Sequence, residues 1–107
     1  MPASLRGPLS AYAERLRRVF GSRLRDVRLF GSYARGEADE DSDVDVLVLI
    51  DGLTDMEIGT AAGEAAEVIL ASKLQLAPLP MSTQRFEELR RRERLLAHDI
   101  DVEGISL

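Results

Sequence analysis

Residues 31–48 read Gly-Ser-Tyr-Ala-Arg-Gly-Glu-Ala-Asp-Glu-Asp-Ser-Asp-Val-Asp-Val-Leu-Val, and two features of this stretch could do chemistry. The first is Asp43-Val44-Asp45 at the head of an apolar run. Residues i and i+2 of an extended chain project from one face, with α-carbons about 6.6 Å apart. Two carboxylates that close repel each other unless a cation lies between them. Mg²⁺ takes oxygen ligands, keeps some waters, and draws the rest from one or two carboxylates plus substrate phosphates. The spacing therefore offers half a magnesium site. Solvation of an acidic loop is explanation enough for Glu37, Asp39, Glu40 and Asp41. It explains Asp45 poorly, because a charge followed by five apolar residues is costly to bury without a partner.

The second feature is Gly31-Ser32 at the end of a short apolar run, where a helical turn can begin. Glycine lets a backbone approach a ligand closely, and the free amides at a helix start bind phosphate. Alone, the dipeptide is an ordinary strand-to-helix turn. A calcium loop of the EF-hand type needs glycine at its sixth position and glutamate at its twelfth. Counted from Asp41 those positions hold Val46 and Gly52, and from Asp39 they hold Val44 and Ile50, so both registers fail.

The elements that must position these residues follow from the punctuation. Pro8 can open a helix and Gly21 can close it, with Leu9, Tyr12, Ala13, Leu16, Val19 and Phe20 as its apolar stripe. Val27 to Phe30 reads as a short strand ending at Gly31. Val44 to Ile50 is apolar on both faces, which predicts a central strand covered on both sides. Asp51-Gly52 marks a turn. Thr54 to Glu57 has capping-box spacing and opens a second helix to about Lys73, with Ile58, Ala62, Ala65 and Ile69 facing inward. Leu74 to Met81 is extended but holds Pro78 and Pro80, so it is an edge or bulged strand. Ser82 or Thr83 caps a third helix running to about Ala97, with Glu87–Arg91 and Glu88–Arg92 pairs on its outer side. The tail to Leu107 ends in one short strand. This order predicts a small α/β (α+β) fold: a mixed sheet of three to four strands with helices on one face.

The chain has 107 residues, the size of one domain, and residues 1–107 are read as such. It has no cysteine and one histidine, His98, which excludes disulfides, thiol nucleophiles and histidine-rich metal sites. A lone histidine near a helix end is more often structural than catalytic. No apolar run is long enough to span a bilayer and no signal-like segment opens the chain, so a cytoplasmic protein is expected. Net charge is −5, but residues 1–36 carry eight arginines against Glu14 and Asp26. The overall acidity argues against nucleic acid as a partner, while the N-terminal arginines leave room for a local phosphate site. The oligomeric state stays open, a homo-oligomer included.

Gly31-Ser32, ten intervening residues and Asp43-x-Asp45 together resemble the signature of the DNA polymerase β-like nucleotidyltransferase superfamily. The Gly-Ser-Tyr-Ala-Arg-Gly wording and the short chain are similar to its minimal nucleotidyltransferases, many of them antitoxins. The resemblance implies transfer of a nucleoside monophosphate, AMP from ATP, to an acceptor hydroxyl, with two Mg²⁺ ions and loss of pyrophosphate. It implies that Gly31 and Ser32 hold the triphosphate, that Asp43 and Asp45 are catalytic and ligate the metals, and that Arg35 binds phosphate, with Tyr33 and Ser42 as neighbours. It also implies a HEPN-domain toxin as partner, modified on a tyrosine. Active members usually carry a third carboxylate on the next core strand. Here Val68 to Phe86 contains no Asp or Glu, and Gln75 or Ala77 stands where that carboxylate is expected. That gap favours the rival reading, a degenerate antitoxin that only binds and neutralises its partner. The intact Gly-Ser and Asp-x-Asp favour the enzyme. Transfer to a small molecule such as an aminoglycoside usually requires a further domain.

Overall fold

A computed structural model describes residues 3–39, 42–92 and 95–107, with the side chains of 95 and 96 left aside. In chain order the elements are α1 (Ala3–Phe20), a 3₁₀ turn at Gly21–Arg23, β1 (Leu24–Phe30), α2 (Ser32–Arg35), β2 (Val44–Ile50), α3 (Asp55–Ser72), β3 (Leu76–Ser82), α4 (Thr83–Arg91), α5 (Leu95–Glu103) and β4 (Ile105–Ser106). The sheet runs β3-β2-β1-β4. β1 is antiparallel to β2 and β4, and β2 is parallel to β3 through the α3 crossover.

β2 is the central strand that its sequence predicts. Val44, Val46, Val48 and Ile50 face one layer with Leu5, Leu9, Tyr12 and Leu16 of α1 and Ala61, Ala65 and Val68 of α3. Leu47 and Leu49 face the other, against Phe86 of α4 and Ala97 and Ile100 of α5. Helices therefore cover both faces, and the one-sided arrangement expected from the sequence is corrected. Each fully buried aliphatic side chain in these layers contributes about 1.5–3 kcal/mol of transfer free energy.

Other expectations shift in detail. α1 begins at Ala3, with Pro8 inside it. Pro8 is the sixth residue, past the four amides that lack a helical partner, so it removes one i→i−4 bond, and buried Leu5 and Leu9 anchor the helix on either side of it. Val19 lies off the stripe, 45% exposed. α3 presents Ala61, Ala65 and Val68 inward, while Ala62 is exposed and Ile58 largely so. The buried Tyr12 hydroxyl donates to the Ala61 carbonyl at 3.0 Å, which selects that face. β3 is an edge strand in unbroken register, so its prolines cost no ladder bonds on the β2 side. The single third helix is in fact two, with Arg92 capping α4. Its intrahelical ion pairs are Arg85–Glu88 and Arg90–Glu87, spaced i,i+3, in place of the expected i,i+4 pairs.

The α3 start is held firmly. Thr54 and Glu57 form the expected capping box. Arg23 grips the Glu57 carboxylate bidentately at 2.7 and 2.8 Å and donates to the carbonyls of Asp51 and Gly52. The Arg23 hydrogen bonds, then the Thr54 amide, hold the Glu57 pKa down at about 2. This clamp fixes the far end of β2, leaving its near end, at Val44, for the site.

Candidate active site

β1 and β2 bring the two halves of the motif together. Phe30, the last residue of β1, is the Cα partner of Asp45. The chain then leaves the sheet at Gly31 with φ 74° and ψ −154°, a region essentially restricted to glycine. A Cβ on Gly31 would overlap Oδ2 of Asp45 and lie 3.2 Å from its Cγ. The Asp45 carboxylate therefore rests directly on the Gly31 backbone. α2 starts at the next residue, Ser32, and closes one turn through Arg35 N–H to Gly31 O at 3.1 Å and Glu37 N–H to Ser32 O at 2.9 Å. First-turn amides of a helix have no intrahelical acceptor.

Asp43 precedes β2 and is exposed, while Asp45 is half-buried as its second residue. Among the described residues neither carboxylate has a hydrogen bond or an ion pair. By contrast Asp26, Glu37, Glu57, Asp101 and Glu103 each pair with an arginine. Burial, and next the Asp43 charge, push the Asp45 carboxyl above its ordinary value, and Arg35 opposes them. The fold thus penalises the charge on Asp45, and among the described residues no hydrogen bond or ion pair offsets it. Unpaired hard oxygen donors of this kind fit a hard dication that takes its other ligands from water and phosphate.

Among the described residues no group of three or more acidic or histidine side chains gathers at one point. In the parallel register Asp45 stands beside Ala77, so the position across from it on β3 carries a methyl group. The expected gap at the third carboxylate is real in three dimensions.

Arg35 reaches the same end of the sheet. Its guanidinium bonds Glu37 at 3.2 Å and Glu103 at 3.4 Å. Tyr33 and Ser42 brace the loop between α2 and β2: the Tyr33 hydroxyl donates to the Asp39 carbonyl at 3.4 Å, and Ser42 Oγ accepts from Asp39 N–H at 3.0 Å. His98 is exposed on α5, where the charge it bears on is Asp101. Sequence reasoning missed Glu103, which arrives from the far end of the chain. Nothing local signals a pairing across 68 residues.

No described helix is long and apolar enough to cross a membrane. Comparison with known proteins agrees with the geometry. The chain is 40% identical to the protein adenylyltransferase MntA of Thermococcus cleftensis over 68 residues, 64% of this chain and 67% of that protein. Its fold matches the solved structure of a minimal nucleotidyltransferase with a TM-score of 0.67 and 28% identity, over 97% of this chain and 93% of the other. A toxin–antitoxin structure with AMP-PNP shares the fold at a TM-score of 0.58 and 23% identity, over 89% of this chain and 68% of that one. The nucleotidyltransferase domain profile matches residues 9–102, and so takes in the Gly31 turn, both unpaired aspartates and every strand but the last. The chain belongs to the nucleotidyltransferase domain family and is by that membership a nucleotidyltransferase.

Proposed function

We propose that this chain moves AMP from ATP onto a hydroxyl of a partner protein, a HEPN-type toxin for which it serves as antitoxin. The observation that carries the reading is the Asp43–Asp45 pair, unpaired among the described residues, with Asp45 seated on the Gly31 backbone at the start of α2. The adenylyltransferase named among the relatives supports AMP as the group moved and a protein as the acceptor. The fold shared with a toxin–antitoxin structure supports the kind of partner.

In this reading the triphosphate lies against the amides at the Gly31–Ser32 turn, with the Ser32 hydroxyl and the Arg35 guanidinium as further donors. Asp43 and Asp45 would hold Mg²⁺, which supplies charge neutralisation for the phosphates and a template for in-line displacement. Close approach of Asp45 to Gly31 joins the end of β1 to the head of β2, so in this reading a metal-binding carboxylate and the phosphate donors are oriented before the nucleotide arrives. The acceptor oxygen bonds to the α-phosphorus as the bond to the pyrophosphate oxygen breaks. With alanine at position 77, no third carboxylate among the described residues stands ready to take the acceptor proton. That proton passes to a group on the partner or to water. The Ala77 position also favours a second reading, an antitoxin that binds nucleotide and partner without transfer.

Intact-mass measurement of a HEPN-type toxin co-expressed with this chain tests both. Added mass of one AMP, lost with Asp45→Asn, is the expected result. An unmodified partner that is still neutralised by the Asp43→Ala chain refutes transfer and leaves the binding-only reading.

A further inference from the structure

The C-terminal segment passes the site at Glu103 and then runs along β1 to Val27, and its placement is tightly built. β4 pairs Ile105 with Leu29 and Ser106 with Arg28. Glu103 is the last residue of α5, two residues before this pairing begins. Gly104 has no room for a side chain: a Cβ there would overlap the Ile100 carbonyl and the Arg28 side chain, whose Cγ would be 2.9 Å away. Arg28 in turn donates to the Ile100 carbonyl at 3.4 Å and pairs with Asp101 at 3.6 Å, and the Gly104 amide donates to the same Ile100 carbonyl at 2.9 Å. The backbone that carries Glu103 is thus held by β1 on one side and by the end of α5 on the other. From there its carboxylate meets the Arg35 guanidinium at 3.4 Å, with the two side chains 35% and 37% exposed.

We infer that Glu103 is a residue of the nucleotide site: it occupies Arg35 in the nucleotide-free protein and must be displaced when the triphosphate claims that guanidinium. The inference rests on the reading of Arg35 as a phosphate ligand. Glu37 also pairs with Arg35, but it is two residues away in the same loop and moves with it. Glu103 belongs to a separately anchored segment, so it cannot follow Arg35 toward a ligand. A carboxylate left behind there also repels the incoming phosphates. Half-exposed ion pairs are weak, so the latch lowers nucleotide affinity without closing the site.

Calorimetric titration with MgATP of the wild-type chain, Glu103→Gln, Arg35→Gln and the double variant tests this. Glu103→Gln is expected to tighten binding roughly two- to fivefold, the range of an exposed ion pair. Glu103→Asp, which shortens the stem but keeps the charge, falls between. Arg35→Gln weakens binding, and in that background Glu103→Gln adds little. Unchanged or weaker binding by Glu103→Gln, with Arg35→Gln still weak, overturns the latch and leaves Arg35 in its phosphate role. Equal tightening by Glu103→Gln in both backgrounds also overturns it, since the effect is then bulk charge. Unchanged binding by Arg35→Gln refutes the premise instead.

Discussion

Replacing Gly31 with alanine puts the contact between the turn and Asp45 to a quantitative test. Two separate penalties arise. A non-glycine residue at φ 74° and ψ −154° lies in an almost glycine-only region, at about 1–3 kcal/mol. The new methyl also overlaps Oδ2 of Asp45, and pushing that side chain off its rotamer costs about 0.5–1.5 kcal/mol more. The backbone penalty is indifferent to residue 45; the steric one vanishes when that residue is shortened. Asp45→Ala alone should be neutral or stabilising at neutral pH. Its carboxyl is shifted up by folding, so the charged form is the one the fold disfavours. A double-mutant cycle over wild type, Gly31→Ala, Asp45→Ala and both therefore predicts a coupling of about 0.5–1.5 kcal/mol, with Gly31→Ala milder in the Asp45→Ala background. Urea unfolding with a constant m-value reads it. Additivity within about 0.3 kcal/mol would refute the claim that the carboxylate rests on Gly31.

Two further outcomes are expected. Burial, with a smaller contribution from Glu64, raises the Tyr12 phenol above its ordinary 10.0, so the fold favours the protonated form. That stability is fully present below about pH 10 and is lost as pH rises beyond it. Tyr12→Phe should cost about 1 kcal/mol at neutral pH, through the hydrogen bond to Ala61, and flatten the alkaline loss. Thermal unfolding between pH 7 and 11 checks this, and parallel curves for the two proteins would contradict it. Ala77→Asp adds a carboxylate one strand spacing, about 5 Å, from Asp45. At effective dielectrics of about 20 to 80 that repulsion amounts to about 1–3 kcal/mol of lost stability without metal. The same variant should bind Mg²⁺ roughly tenfold more tightly. Unfolding midpoints with and without Mg²⁺ decide, and a midpoint indifferent to Mg²⁺ would sink the metal-site reading.

Local signals were enough for the elements that set up the site. β2 is unmistakable because five consecutive apolar residues follow Asp45, and the α3 start because Thr54 and Glu57 satisfy each other's backbone. What was not legible was decided across the chain. Residues 83–97 contain no glycine or proline, so they read as one helix. Phe86 and Ile100 lie 14 residues apart, about 21 Å along a straight helix, yet both must pack on Leu47 and Leu49. The chain turns between them to reach that patch. The inward face of α3 was read correctly at Ala65 and Ile69, while Ala61 and Val68 take the place of Ala62 and Ile58, because an alanine-rich helix has two similar faces and the Tyr12 bond to Ala61 selects one. In the candidate site, the positions that local spacing can carry were legible, namely the aspartate pair and the glycine turn. Glu103 was not, because its position depends on β4, on Gly104 and on the Arg28 stem.

Among the described residues several acids are held by arginines: Glu57 by Arg23, Glu64 by Arg15, Asp101 by Arg90 and Arg28. Asp55, Glu67 and Asp99 have no such partner, but all three are exposed and water solvates them. The Val44 end of β2 is different. Asp43 and Asp45 crowd each other, Asp45 is half-buried, and the nearest cation, Arg35, spends its hydrogen bonds on Glu37 and Glu103. Moving Arg35 onto Asp45 would relieve the strain, and the anchored Glu103 opposes that move. A fold that holds Arg35 on Glu37 and Glu103 leaves two carboxylates open at a glycine turn, at a cost in its own stability through half-buried Asp45. In the proposed reading that cost is recovered when a cation and its phosphates arrive from outside the chain.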